Sequence, residues 1–175
     1  MEKRTFRNCR FYRSGDVLFT DMEVFKGQGN DTYLASVMDL YDRKIIGWAY
    51  GKNITAELAT QDVKNACLNI PDTTGIVLHS ELGSQYTSEE FEKYLQDQGM
   101  LHSFSRKGNP YDNACIESFH SVLKKEEVYT TTYCTFEESK SALFEYIESF
   151  YNRKRCHNAL DYKTPQQVED EALAA

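Results

Sequence analysis

Apolar positions along this chain recur with two periods, and the places where the period changes outline its elements. Val17 to Phe25 (VLFTDMEVF) is rich in β-formers and apolar on both faces, the pattern of a central strand. Lys26 to Asp31 (KGQGND) reads as a turn. Thr32 to Leu40 and Lys44 to Tyr50 are two more strands with a short link, so the first third predicts an antiparallel meander. From Thr55, a potential helix cap, the period lengthens. Ala59, Val63, Ala66, Cys67 and Ile70 form one apolar stripe, and Pro71 ends it.

Ile76 to Ser80 returns to a short apolar strand. Ser88 caps a second helix with Phe91, Tyr94 and Leu95 on one face and Gly99 as its stop. Leu101 to Ser105 is a fifth strand. Gly108, Asn109 and Pro110 then break the chain, because proline lacks an N–H and biases its predecessor away from helix. Asp112 or Asn113 can cap a third helix running to about Val128, with Ile116, Phe119 and Leu123 on one face. Tyr129 to Tyr133 is a β-prone break. Thr135 with Glu138 forms a capping box for a long helix bearing Leu143, Ile147 and Phe150, and Thr164–Pro165 starts a last short one. The order βββ-α-β-α-β-α-α, closed by that last short helix, predicts one mixed α/β domain over residues 16–175. Residues 1–15, without a clear period, read as an arm or linker.

Composition narrows the class. At 175 residues with 41% hydrophobic positions, the chain can bury a real core. No apolar run reaches the roughly 18 residues of a membrane span, and the first residues lack the apolar centre of a signal peptide. Cys9, Cys67, Cys115, Cys134 and Cys156 are odd in number and form no CxxC pair, so neither a zinc site nor a disulfide framework is indicated, and a reduced, cytoplasmic protein is expected. A net charge of −7 argues against a generic nucleic-acid binder. The basic residues are clustered, however, near the N-terminus, at Arg106–Lys107, at Lys124–Lys125 and at Arg153–Arg155. Such spots on an acidic body can track a phosphate backbone or serve as solubilising surface.

Three acids fall at strand or helix ends. Asp21 lies within the first strand, Glu81 follows the strand Ile76–Ser80, and Glu117 starts the third helix. An acid among apolar neighbours is costly to bury unless paired, protonated or bound to metal. Oxygen-only clusters suit Mg²⁺ or Mn²⁺, which can activate an attacking oxygen and stabilise a leaving one at a phosphodiester. Glu23, Asp39 and Asp42 are rivals for the role of Asp21. The four histidines are scattered and read as surface or packing residues. His120, one turn after Glu117, is the exception to watch.

Thr20–Asp21, Leu34 to Tyr50, His79 to Ser88 (HSELGSQYTS), Ser105 to Lys124 (SRKGNPYDNACIESFHSVLK) and Tyr151 to Pro165 (YNRKRCHNALDYKTP) together form a specific set. Thirty-five residues separate Glu81 from Glu117, and Lys124 stands seven after Glu117. On these segments the chain resembles the catalytic core of bacterial insertion-sequence transposases of the retroviral-integrase (DDE) superfamily, the insertion-sequence-three type. The resemblance covers roughly Asp16 to Val168. It implies an RNase H-like fold with a five-stranded mixed sheet flanked by helices, and a Mg²⁺- or Mn²⁺-dependent polynucleotidyl transferase. It also implies Asp21, Glu81 and Glu117 as catalytic metal ligands. Lys124, Arg106, Lys107, Asn109 and Asn113 would contact DNA. The implied partners are transposon-end and target DNA and further copies of the chain, at least a dimer on DNA.

Two departures bear on this expectation. The family pattern has aspartate where Glu81 stands, and the extra methylene moves a carboxylate by about 1 Å, twice the misplacement of about 0.5 Å that a catalytic constellation tolerates. Leu82 likewise replaces a common arginine. Family members also carry an N-terminal helix-turn-helix region, whereas only residues 1–15 precede the core here, so the chain reads as a catalytic piece of a longer protein. Two other functions stay open: a catalytically silent remnant serving DNA binding or oligomerisation, and an RNase H-like nuclease acting on RNA–DNA hybrids.

Overall fold

The structure, a computed structural model, describes residues 15–26, 31–106 and 112–174. The expected arm at residues 1–15 therefore falls, except for Gly15, outside the described residues. Strands β1 (Val17–Phe25), β2 (Thr32–Asp39) and β3 (Ile45–Gly51) form the antiparallel meander. Strands β4 (Val77–Ser80) and β5 (Leu101–Phe104) add on in parallel, giving the order β3-β2-β1-β4-β5. β1 is the central strand, as its two-sided apolar pattern requires.

Alternation along β1 feeds two cores. Phe19 and Phe25 face the layer built by α3 (Ala114–Leu123) and α4 (Phe136–Phe144), where Ile116, Phe119, Leu123 and Leu143 are buried. Leu18 faces the other layer, built by α1 (Ala56–Cys67) and α2 (Glu89–Asp97) through Ala59, Val63, Phe91 and Leu95. Gly47 permits the close seat of α1 on β3. A Cβ at that position would overlap the backbone of Asp62 and Ala66.

Several local expectations shift. α3 does run on to Val128, but from Lys124 as a wider π-helical segment, and α4 continues likewise from Glu145 to Tyr151. The β-prone break at Tyr129–Tyr133 forms turn and irregular backbone between the two helices, with no strand. Thr135 caps α4 as expected, accepting from Glu138 N, but Glu138 Oε2 accepts from Cys134 N at 2.7 Å, one residue before the cap. The full capping box belongs to Thr164 and Gln167 at α5 (Pro165–Leu173). Phe150 stays 41% exposed, its ring against Tyr146, and is not part of the buried face. No described helix is long and apolar enough to cross a membrane.

Candidate active site

The parallel register of β1 with β4 brings the first two acids toward each other. Phe19 pairs with His79, so two residues further on Asp21 and Glu81 emerge on the same face, where β4 ends. Carboxyl ends of parallel strands are where open α/β sheets gather ligands. α3 packs over this face through Ile116 and Phe119, and its first turn carries Glu117.

The three acids lie close enough to perturb one another. The Glu81 carboxyl is held above the usual range, first by partial burial and then by the charges of Asp21 and Glu117. Asp21 is the most enclosed, with 15% of its side chain exposed, while Glu81 and Glu117 are open to solvent. Asp21 Oδ1 accepts from Met22 N at 2.8 Å, and its Oδ2 lies 3.6 Å from His120 Nδ1. The three acids share one field without yet sharing one coordination sphere. Among the described residues no three His, Cys, Asp or Glu side chains are gathered tightly enough to hold a metal ion as they stand. The donor set itself, three carboxylates from three elements, suits a hard divalent cation that would relieve their mutual repulsion.

The rival acids are otherwise engaged. Glu23 Oε2 pairs with Lys124 Nζ at 3.0 Å. Asp39 accepts from Gly15 N and Tyr41 N, and Asp42 accepts from Lys44 N, all at the other end of the β1–β2 ladder. Burial, with the charge of Asp39 second, pushes Asp42 up to about 7.

The residues expected to touch DNA are less uniform. Lys124 stands beside the site but is tied to Glu23. Arg106 is exposed and forked onto Asp112, with Nε and Nη2 each about 3 Å from a carboxylate oxygen, and this holds Asp112 near 2. Neither proposed cap of α3 works as one: Asp112 serves Arg106, and Asn113 occupies the cap position without a side-chain bond to the helix. Asn113 is only 2% exposed, and its side chain lies close enough to Glu81 to favour the charged carboxylate and offset part of the effect of burial. Asn113 is thus part of the wall beside Glu81, not of an open surface. Lys107 and Asn109 lie outside the described residues.

Of the histidines, His79 and His102 are buried structural groups bonded to Ser103, Ser105, Ser80 and Glu92. Burial lowers His79 to about 4. Sequence reasoning missed a polar cluster on the opposite face of β1. Thr20 Oγ1 donates to Asp62 Oδ2 at 2.9 Å, while Asp62 Oδ1 and the Tyr86 hydroxyl are buried without partners. Full burial holds the Asp62 carboxyl well above its usual range. The available signal was an aspartate inside the apolar stripe of Ala59, Val63 and Ala66.

The integrase core domain family matches residues 12–110, and a second family of the same description matches residues 98–165. The transposase for insertion sequence element IS904 of Lactococcus lactis is 39% identical over 149 residues, covering 85% of this chain and 59% of that protein. Transposase InsF for insertion sequence IS3A of Escherichia coli is 36% identical over 142 residues, covering 81% and 49%. The chain therefore spans about half the length of these relatives. Among solved structures, a simian T-cell lymphotropic virus intasome chain superposes with a TM-score of 0.73 at 17% identity, covering 89% of this chain and 54% of that one. The HTLV-2 integrase catalytic core domain in complex with magnesium gives 0.62 at 14% identity, covering 89% and 97%. These likenesses establish the fold, which is RNase H-like.

Proposed function

The chain belongs to the integrase core domain family, as a transposase catalytic core of the insertion-sequence-three type, and from that premise we propose that it cleaves and joins DNA strands in transposition. Asp21, Glu81 and Glu117 would hold Mg²⁺ or Mn²⁺. When bound, such ions lower the pKa of an attacking oxygen and stabilise the leaving oxygen at phosphorus.

Each part of the chain then has a task. Asp21 is fixed by its strand and by the Met22 N–H, so it anchors the ligand set. Glu81 and Glu117, more exposed, close on it from the end of β4 and from α3. Lys124 holds a phosphate of the DNA once released from Glu23. In the first step water attacks a phosphodiester, the P–O3′ bond breaks, and a 3′-OH is freed. In the second that hydroxyl attacks another phosphodiester, forming a new O3′–P bond and expelling the 3′ oxygen of the cut target strand. The DNA would be transposon ends and target, and the working form a multimer of the chain.

The β1–β4 register that brings Asp21 and Glu81 to one face, with the first turn of α3 laying Glu117 over it, is the observation that carries this reading. The test is Mg²⁺-dependent nicking of an element-end duplex. Wild type is expected to nick slowly, Glu117→Gln not at all, and Glu81→Asp about 10- to 100-fold faster than wild type, because a carboxylate about 1 Å out of place costs that much. A second reading rests on the longer Glu81 side chain and the open ligand set. It holds that the chain is a catalytically silent remnant that still binds DNA or oligomerises. Metal-independent DNA binding by Glu81→Asp without any nicking would favour it.

A further inference from the structure

Ser36 is the register partner of Asp21 across the antiparallel β1–β2 pair, so both side chains leave the sheet on the α3 face. His120, one turn after Glu117, drops from α3 between them and is 1% exposed. Its Nε2 lies 2.8 Å from Ser36 Oγ. Its Nδ1 is buried, has no hydrogen-bond partner, and lies 3.6 Å from Asp21 Oδ2. A buried ring nitrogen directed at a carboxylate just beyond bonding distance calls for an explanation.

We infer that His120 is a positioning residue for Asp21, with the Ser36 hydroxyl donating to Nε2 and so keeping the ring proton on Nδ1, facing Asp21 Oδ2. This inference rests on the metal-binding reading of Asp21. In the opposite tautomer Ser36 would accept from Nε2–H, and the bare Nδ1 lone pair would confront the carboxylate oxygen. A short turn of the Asp21 carboxylate closes the remaining gap to a normal hydrogen bond. The imidazole, held at its far nitrogen, then orients a first-sphere carboxylate as outer-sphere partners of metal ligands generally do. Because the same ring is rooted on the helix that bears Glu117, it also sets the separation of Glu117 from Asp21.

Two measurements test this. Long-range ¹H–¹⁵N spectra of the metal-free chain are expected to show the Nδ1–H tautomer of His120. Mn²⁺ titration followed by electron paramagnetic resonance is expected to show affinity about 10- to 100-fold weaker in His120→Phe. His120→Asn places an amide N–H where Nδ1 stands and is expected to recover most of that loss. Ser36→Ala leaves the imidazole in place without its tautomer lock; it is expected to increase the Nε2–H form and weaken Mn²⁺ binding, and it supplies the answer should His120→Phe fail to fold. An Nε2–H tautomer in the wild type, or wild-type Mn²⁺ affinity in both His120→Phe and Ser36→Ala, overturns the inference and leaves the metal reading intact. Absence of Mn²⁺ uptake by the wild type overturns both.

Discussion

Single residues in this protein divide by whether their chemistry was visible in their neighbours. Asp21, Glu81 and Glu117 stood out because each acid terminates or interrupts an apolar run, and their spacing added weight. Asp42 had the same appearance, and only its surroundings separate it: it is 1% exposed, beside Asp39, with Oδ2 lacking a partner. Its pKa of about 7 in the folded chain, against 3.8 for the ordinary side chain, means the native state binds that proton more tightly than the unfolded state. Stability therefore falls as pH rises from about 4 to about 7 and carries the full penalty above that. Asp42→Asn removes the ionisation, so thermal melts across that window are expected to show a flatter pH dependence and a higher Tm at pH 8 than wild type. Glu81 titrates in the same sense, its carboxyl raised by burial and by two neighbouring acids.

At the scale of elements, the seat of α1 on β3 depends on one missing side chain. Gly47→Ala would drive a methyl into the backbone of Asp62 and Ala66, which cannot move without lifting the helix. A loss of about 1–3 kcal/mol in urea denaturation is expected, the usual cost of overpacking. The end of α3 bears on the proposed DNA contact. Lys124 is held by Glu23, two residues along β1 from Asp21, so a phosphate must compete with a carboxylate for it. Glu23→Gln is expected to tighten duplex binding, and Lys124→Ala to weaken it with a salt slope smaller by about 1. Fluorescence anisotropy over a salt series measures both. Caps were the least legible feature of the elements. Asp112 had the right type and place to cap α3, but a bidentate guanidinium is a stronger partner than a backbone N–H.

For the whole molecule, on the proposed metal reading, the acidic balance of −7 and the three carboxylates would make a divalent cation a stabilising ligand. At 100 times its Kd, such an ion adds about 2.7 kcal/mol of stability. For a chain of this size that corresponds to a Tm rise of about 5–11 °C. Differential scanning fluorimetry with Mn²⁺ is expected to show it in the wild type and to lose most of it in Glu117→Gln. Equal shifts in both proteins would place the cation elsewhere.

The order and type of elements and the central place of β1 were written in local pattern: alternation of two for strands, three to four for helices, and breaks at Gly and Pro. Those signals are carried by residues close together in the chain, so they survive without a fold. Left to the tertiary structure were the Ser36–His120–Asp21 contact, the buried Thr20–Asp62 bond, the capture of Lys124 by Glu23 and the burial of Asn113. The contacts among these join residues 42 to 101 positions apart through sheet register and helix docking. Burial and charge pairing are properties of that three-dimensional proximity, and no periodicity along the chain encodes them.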